Sequence, residues 1–364
     1  MLDKKRWAIF SLLVLCGGTI YKLPSLKDAF YVPMQEYFHL TNGQIGNAMS
    51  VNSIVTTIGF FLSIYFSDKL PRRLTISFSL IATGLLGVYL STMPGYWGIL
   101  FVWALFGVTC DMLNWPVLLK SVSLLGNSSQ QGRIFGFFET GRGVVDTVVA
   151  FSALAVFAWF GSGYLGFKMG ILFYSGVAIL VGGIIFLFLK DDKHAVTEPV
   201  NEPGENKEKK PGGPIGGLIA DKILKSPTKY LFYTFIISVI VLVTFIFLPH
   251  ESMPVYLGMV CTLGFGTIVF TQRAIFFAPI GEANIKESST GAAMALGSFI
   301  GYAPAMFCFS LYGHILDSYP GMTGYKIVFG LMALFACCGA FASGILIISI
   351  KNRKARADMM ASSH

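Results

Sequence analysis

Long apolar runs separated by short polar connections dominate the chain, and they set its secondary structure before any motif is considered. A helix rises 1.5 Å per residue and needs roughly 20 apolar residues to cross about 30 Å of hydrocarbon. Six runs in the first half meet that length, at residues 7–34, 44–66, 74–92, 96–120, 133–160 and 165–189. Four follow in the second half, at residues 230–248, 253–279, 291–316 and 325–350. Stretches such as 182–189 (Gly-Gly-Ile-Ile-Phe-Leu-Phe-Leu) lack the alternation of lipid-facing and lumen-facing residues that a barrel strand needs. The pattern predicts an all-α integral membrane protein, a helical bundle of six N-terminal plus about four C-terminal spans.

Composition agrees. With 54% hydrophobic and 13% charged residues among 364, and a mean hydropathy of +0.67, the chain carries too much apolar surface for a water-soluble globule and takes lipid as its solvent. The opening Met-Leu-Asp-Lys-Lys-Arg leads into an apolar stretch too long for a signal peptide, with no small-residue cleavage site, so it reads as the first span. All six cysteines lie in apolar segments without metal-ligand spacing, which points to packing. No phosphate-binding Gly-x-x-x-x-Gly-Lys-Ser/Thr loop is present, so any transport is secondary, without an ATPase in the chain. Neither a metal-binding His and acid cluster nor a nucleophile motif points to an enzyme, and no cofactor or nucleic-acid partner is expected.

Charge orients the bundle. With the N-terminus placed in the cytoplasm, 21 of the 27 Lys and Arg residues fall in inner loops, the linker or the C-terminal tail. The other six (Lys22, Lys27, Arg142, Lys168, Arg273, Lys326) lie within spans or at their outer ends. Positive charge stays inside during insertion, so both termini are expected in the cytoplasm of a multi-pass protein of the bacterial inner membrane. The organisation expected is an N-terminal six-helix bundle (1–190), a disordered cytoplasmic linker (191–211), an incomplete C-terminal bundle (212–350) and a cytoplasmic tail (351–364). The linker is rich in Glu, Asp, Lys, Pro and Asn, a composition that cannot bury enough apolar area to fold alone.

An internal repeat runs through the chain. Ser67-Asp-Lys-Leu-Pro-Arg-Arg after the second span is echoed by Gly216-Gly-Leu-Ile-Ala-Asp-Lys, and Met93-Pro-Gly-Tyr-Trp-Gly by Met253-Pro-Val-Tyr-Leu-Gly. With its Asp and basic residues between spans two and three, the chain resembles the major facilitator superfamily. The glycine that usually opens that signature is replaced around Ser63 to Ser67, so the first copy is degenerate. Residues 16–50, 107–121, 135–157 and 270–283 carry a resemblance to an inner-membrane member of that family through most of the chain. The resemblance implies solute movement by alternating access, and a gating-loop role for Asp68, Arg72 and Arg73 and for Asp221 and Lys222. If Asp221 matches Asp68, two spans should precede it in the second half. Only residues 211–220 are available there, and ten residues of helix cover about 15 Å. Most of spans seven and eight of a twelve-span parent is therefore expected to be missing.

Ionisable groups inside spans pair with one another or line a water-filled path. Glu139, Arg142 and Asp146 share one face of span five at offsets of three and four, so Arg142 can neutralise either carboxylate. They form either a cavity group for a charged solute or proton, or an ion pair that fixes packing. Lys22 lies past the midplane of span one and, with Tyr21 beside it, is the ligand candidate there, while Lys27 and Asp28 read as an interfacial pair. Span four carries Asp111, Asn114 and then Trp115-Pro116, whose proline should loosen the helix; Asp111 either pairs with Arg142 or accepts a proton. Gln272 and Arg273 follow Thr271, the counterpart of Asp111 by the Met-Pro match; Arg273 is a ligand or a snorkelling interfacial arginine.

This balanced set of buried charges suits a small polar or anionic solute with possible proton coupling, carried by a secondary transporter expected to be a monomer in the bilayer. Two other classes remain: a membrane enzyme, which lacks its motifs, and a non-transporting remnant or sensor, which the missing spans make credible.

Overall fold

The computed structural model describes residues 4–66, 70–125, 131–189, 226–248, 254–275, 279 and 300–362, and the described residues form helices with no strand. Among the described residues seven helices are long and apolar enough to cross a membrane, and shorter apolar helices lie at Arg6–Thr19 and Tyr256–Gln272. The chain divides into two compact units, one made of Met1–Lys207 with Tyr302–Asp317, the other of Glu208–Gly301 with Ser318–His364.

In the first unit, span one is two helices rather than the single helix expected: α1 (Lys4–Thr19) and α2 (Leu26–Tyr37) are joined by turns through residues 20–25. Pro24 explains the break, since its ring cannot donate to the helix ladder and clashes with the preceding turn. Backbone groups freed inside a bilayer need partners. The Pro24 carbonyl accepts from the buried Trp103 indole at 3.2 Å, and the Ile20 carbonyl faces the Cys110 thiol at 3.6 Å.

Next come α3 (Asn42–Phe66) and α4 (Arg72–Leu90). Span four is α5 (Tyr96–Phe106), a π-helical segment (Gly107–Asn114) and α6 (Trp115–Ser123). Pro116 in the first turn of α6 has no N–H to donate back, so the ladder loosens in the turns before it. The unit continues with α7 (Gln131–Trp159) and α8 (Tyr164–Phe188).

Close helix approaches rest on glycine. A Cβ at Gly18 would lie 2.5 Å from Val145, which lets α1 sit against α7 beside Arg142; Gly84 would meet Ile179 at 2.5 Å, which does the same for α4 and α8. Ser77 adds a 2.6 Å hydrogen bond to the Gly182 carbonyl across that second seam.

The second unit holds α9 (Pro227–Phe247), α10 (Val255–Ile275) and α12 (Met322–Ser362). Ser226 caps α9 by accepting from the Lys229 N–H at 3.2 Å, ahead of a proline suited to a first turn. α9 packs along α12 as α4 packs along α8, the most extensive helix pairs in their units. α4 begins on the Arg-Arg that closes the first signature copy and α9 begins a few residues after the second, so the two pairs stand in corresponding order along the repeat read from the sequence. Leu242, Ala333 and Ala336 form the buried core there.

Between them in sequence, α11 (Ala305–Ser318) groups with the first unit through Asp317. Gly43 and Gly46 of α3 and Gly313 of α11 let the two backbones touch. Asp317 then accepts from the Asn42 N–H at 2.9 Å and the Gly43 N–H at 2.6 Å, satisfying the first turn of α3. Ser310 adds a bond to Asn47 at 2.6 Å.

Candidate functional site

The break in span one brings Tyr21 to the π segment and Lys22 to α7. Tyr21 donates its hydroxyl to one Asp111 oxygen at 3.1 Å, and Thr56 of α3 donates to the other at 2.7 Å. Both carboxylate oxygens are thus met by neutral hydroxyls. The expected alternative of an Asp111–Arg142 pair is not formed.

In span five Arg142 takes one of the two carboxylates open to it, and the other finds a partner on span one. Arg142 bonds Glu139 at 2.7 Å, but Asp146 pairs with Lys22 at 2.5 Å. Had span one stayed helical, Lys22 would follow the regular helix register; the turn redirects it onto α7. Side-chain exposure is 10% for Lys22, 27% for Arg142, 48% for Asp146 and 50% for Glu139. The acids are more open to the surroundings than the cations they pair with. Arg142 also lies 5.4 Å from the Trp115 ring centroid, and Trp115 meets Tyr21 edge-on at 6.0 Å.

Tyr21, Lys22, Asp111, Glu139, Arg142 and Asp146 therefore form one cluster of two cations and three carboxylates. Asn114 stands apart from it in role: fully buried, it exchanges hydrogen bonds with the Cys16 thiol at 3.5 to 3.6 Å and holds α1 to span four. Lys27 and Asp28 pair at 2.7 Å on an exposed surface, as the sequence suggested. Thr56 and Trp115 complete the cluster. The sequence marks Trp115 only through the proline beside it, and Thr56 gives no signal beyond being a hydroxyl in an apolar span.

In the second unit, Gln272 donates to Ser238 of α9 at 3.2 Å, which gives it a packing role between α10 and α9. The Arg273 side chain lies outside the described residues, as do Asp68, Asp221 and Lys222. Arg72 opens α4. Arg73 bonds the Phe186 carbonyl and lies 4.4 Å from the Phe186 ring centroid, so it clamps α4 to α8. No group of three or more His, Cys, Asp or Glu suited to a metal occurs among the described residues.

The chain is 67% identical to Inner membrane protein YihN of Escherichia coli (strain K12), with 97% of this chain and 98% of that protein covered. It is 25% identical to Inner membrane protein YqcE of the same organism, over 88% of this chain and 90% of that one. Among solved structures, a bacterial homolog to the human lysosomal transporter Spinster, in an inward-facing and occupied conformation, shares the fold at a TM-score of 0.67 and 12% identity. It covers 96% of this chain and 98% of that one. The YihN alignment runs over 413 positions and includes 97% of the 364 residues of this chain, so it is longer than the chain and the relative carries residues this chain lacks. The family profile matches residues 28–350, and the chain belongs to the Major Facilitator Superfamily, a family of membrane transporters.

Proposed function

We propose that this protein is built to move a small polar or anionic solute by alternating access around the cluster at the break of span one. The observation that carries this reading is the Lys22–Asp146 pair: a largely shielded ammonium whose partner is half exposed. An anionic group entering from the open side can take the place of Asp146 on Lys22, while Arg142 offers a planar two-donor fork beside it. Asp111, held by hydroxyls and no cation, is the carboxylate suited to take up and release a proton. Proton coupling, a monomeric state and cytoplasmic termini belong to the same proposal.

A second reading, a non-transporting remnant or a sensor, is favoured by the extra positions of the YihN alignment. The matching places of α4 with α8 and of α9 with α12 support a gap just ahead of α9, where spans seven and eight would stand. Alternating access needs two comparable halves. The chain as written, with six plus four spans, is then expected to transport poorly. Proteoliposome uptake of phosphate and small carboxylates separates the readings. It compares this chain with a version carrying about 60 further residues, two spans with their connections, between Lys210 and Gly212. Solute-dependent uptake by the restored form alone supports both the transporter reading and the gap. Equal uptake by the two removes the gap, and no uptake by either favours the sensor.

A further inference from the structure

We propose that the groove between α9 and α12 is a binding site for an anionic glycerophospholipid of the cytoplasmic leaflet. A cavity of ≈ 520 Å³ opens between these helices, with Lys229 and Tyr233 of α9 facing Phe341, Gly344 and Ile348 of α12. Gly344 forms its floor: a Cβ there would touch Phe232 at 3.4 Å, so the missing side chain is what leaves room beside the ring.

The polarity of the groove runs in one direction. Lys229 stands in the first turn of α9, and Lys351, also exposed, follows Ile348 by about one turn of α12. Among the described residues neither has an acidic partner, and no acidic residue lines the groove. Arg353, Lys354 and Arg356 continue the basic run in sequence. Away from the lysines the walls are aromatic and aliphatic, with Phe341 72% and Ile348 61% exposed.

Length fits one leaflet. From Ala340 to Ile348 the helix rises about 12 Å, close to half of the roughly 30 Å hydrocarbon layer. On the proposed topology the lysine end lies at the cytoplasmic interface. A phosphate at that depth meets the two ammonium groups while an acyl chain follows the groove toward the midplane. Basic pockets between spans on this side of a membrane hold anionic head groups in the same way. A zwitterionic lipid could fill the apolar part but would gain nothing net from the lysines.

The test uses the full chain reconstituted in vesicles of phosphatidylcholine alone or mixed with phosphatidylglycerol, with retained lipid read by native mass spectrometry. Phosphatidylglycerol is expected to be retained about 25-fold over its share, since each of the two lysines near the surface contributes roughly fivefold. The Lys229→Gln/Lys351→Gln protein should lose that preference, and Gly344→Leu should reduce retention of both lipids. If the glutamine protein melts lower in phosphatidylcholine alone, Lys229→Arg/Lys351→Arg decides, because it keeps both charges. Preference kept in the arginine protein and lost in the glutamine protein supports the site. Equal retention of the two lipids by the unsubstituted chain, or a preference that survives Lys229→Gln/Lys351→Gln, overturns it.

Discussion

Replacing Asp146 with Asn removes the charge that shields Lys22 while keeping the side-chain volume. The pair is 2.5 Å long, with one side chain 10% and the other 48% exposed. Breaking a fully buried pair costs about 3–5 kcal/mol, and an exposed pair contributes about 0–1 kcal/mol. A shielded lysine facing a half-exposed aspartate falls between, so Asp146→Asn should lower stability by about 1–2 kcal/mol. The same quantity appears with opposite sign in anion binding. A solute that takes the place of Asp146 must first separate it from Lys22, and the variant no longer carries that cost. Affinity for small anions should therefore rise about 5- to 30-fold, while Lys22→Gln should abolish it. The assay is titration of the purified protein with inorganic phosphate and a set of small carboxylates. Binding is read by the part of the tryptophan fluorescence change that is lost in Trp115→Phe, since Trp115 stands beside Arg142 and Tyr21, and thermal melting is followed in parallel. A folded Asp146→Asn protein that binds every probe no better than the unsubstituted chain would refute the competition between Asp146 and solute.

Two further outcomes follow from the geometry. In the restored twelve-span form, Arg142→Lys keeps the charge but loses the planar fork, so uptake should fall about tenfold and Arg142→Ala should lose it; unchanged uptake in both would make the Arg142–Glu139 pair a packing device. At Asp317, just past the end of its span, partial burial works to raise the carboxyl, but hydrogen bonds from the Gly43 N–H, the Thr41 side chain and both the Asn42 side chain and its N–H hold it below the ordinary range. A depressed carboxylate stabilises the fold at pH above the unfolded value of about 3.9 and loses that contribution as pH falls through its lower folded value. Asp317→Asn should accordingly melt lower at pH 7, by about 1 kcal/mol for a cap on an exposed group. The difference should shrink between about pH 5 and pH 2, and one that stays constant with pH would remove the charge from the explanation.

Hydropathy alone determined the class of this protein. Runs of about 20 apolar residues have one low-energy solution in lipid, a hydrogen-bonded helix, so the helical membrane fold was readable directly. The offsets of Glu139, Arg142 and Asp146 likewise placed them on one helix face, because the helical period is a local property. Which charge meets which was not readable. Lys22 reaches Asp146 only because span one breaks at residues 20–25, and that break is stabilised by groups remote in sequence, Trp103 on the Pro24 carbonyl and Cys110 on the Ile20 carbonyl. Asp111 finds Thr56 and Tyr21 because glycines let α3 and span four approach: Gly59 against Met112 and Gly107 against Val55. The placement of α11 beside α3 rests on Gly43, Gly46 and Gly313 meeting across more than 260 residues of chain. Periodicity records which face of a helix is apolar; the partner of that face depends on shape and distance, which only the packed structure supplies.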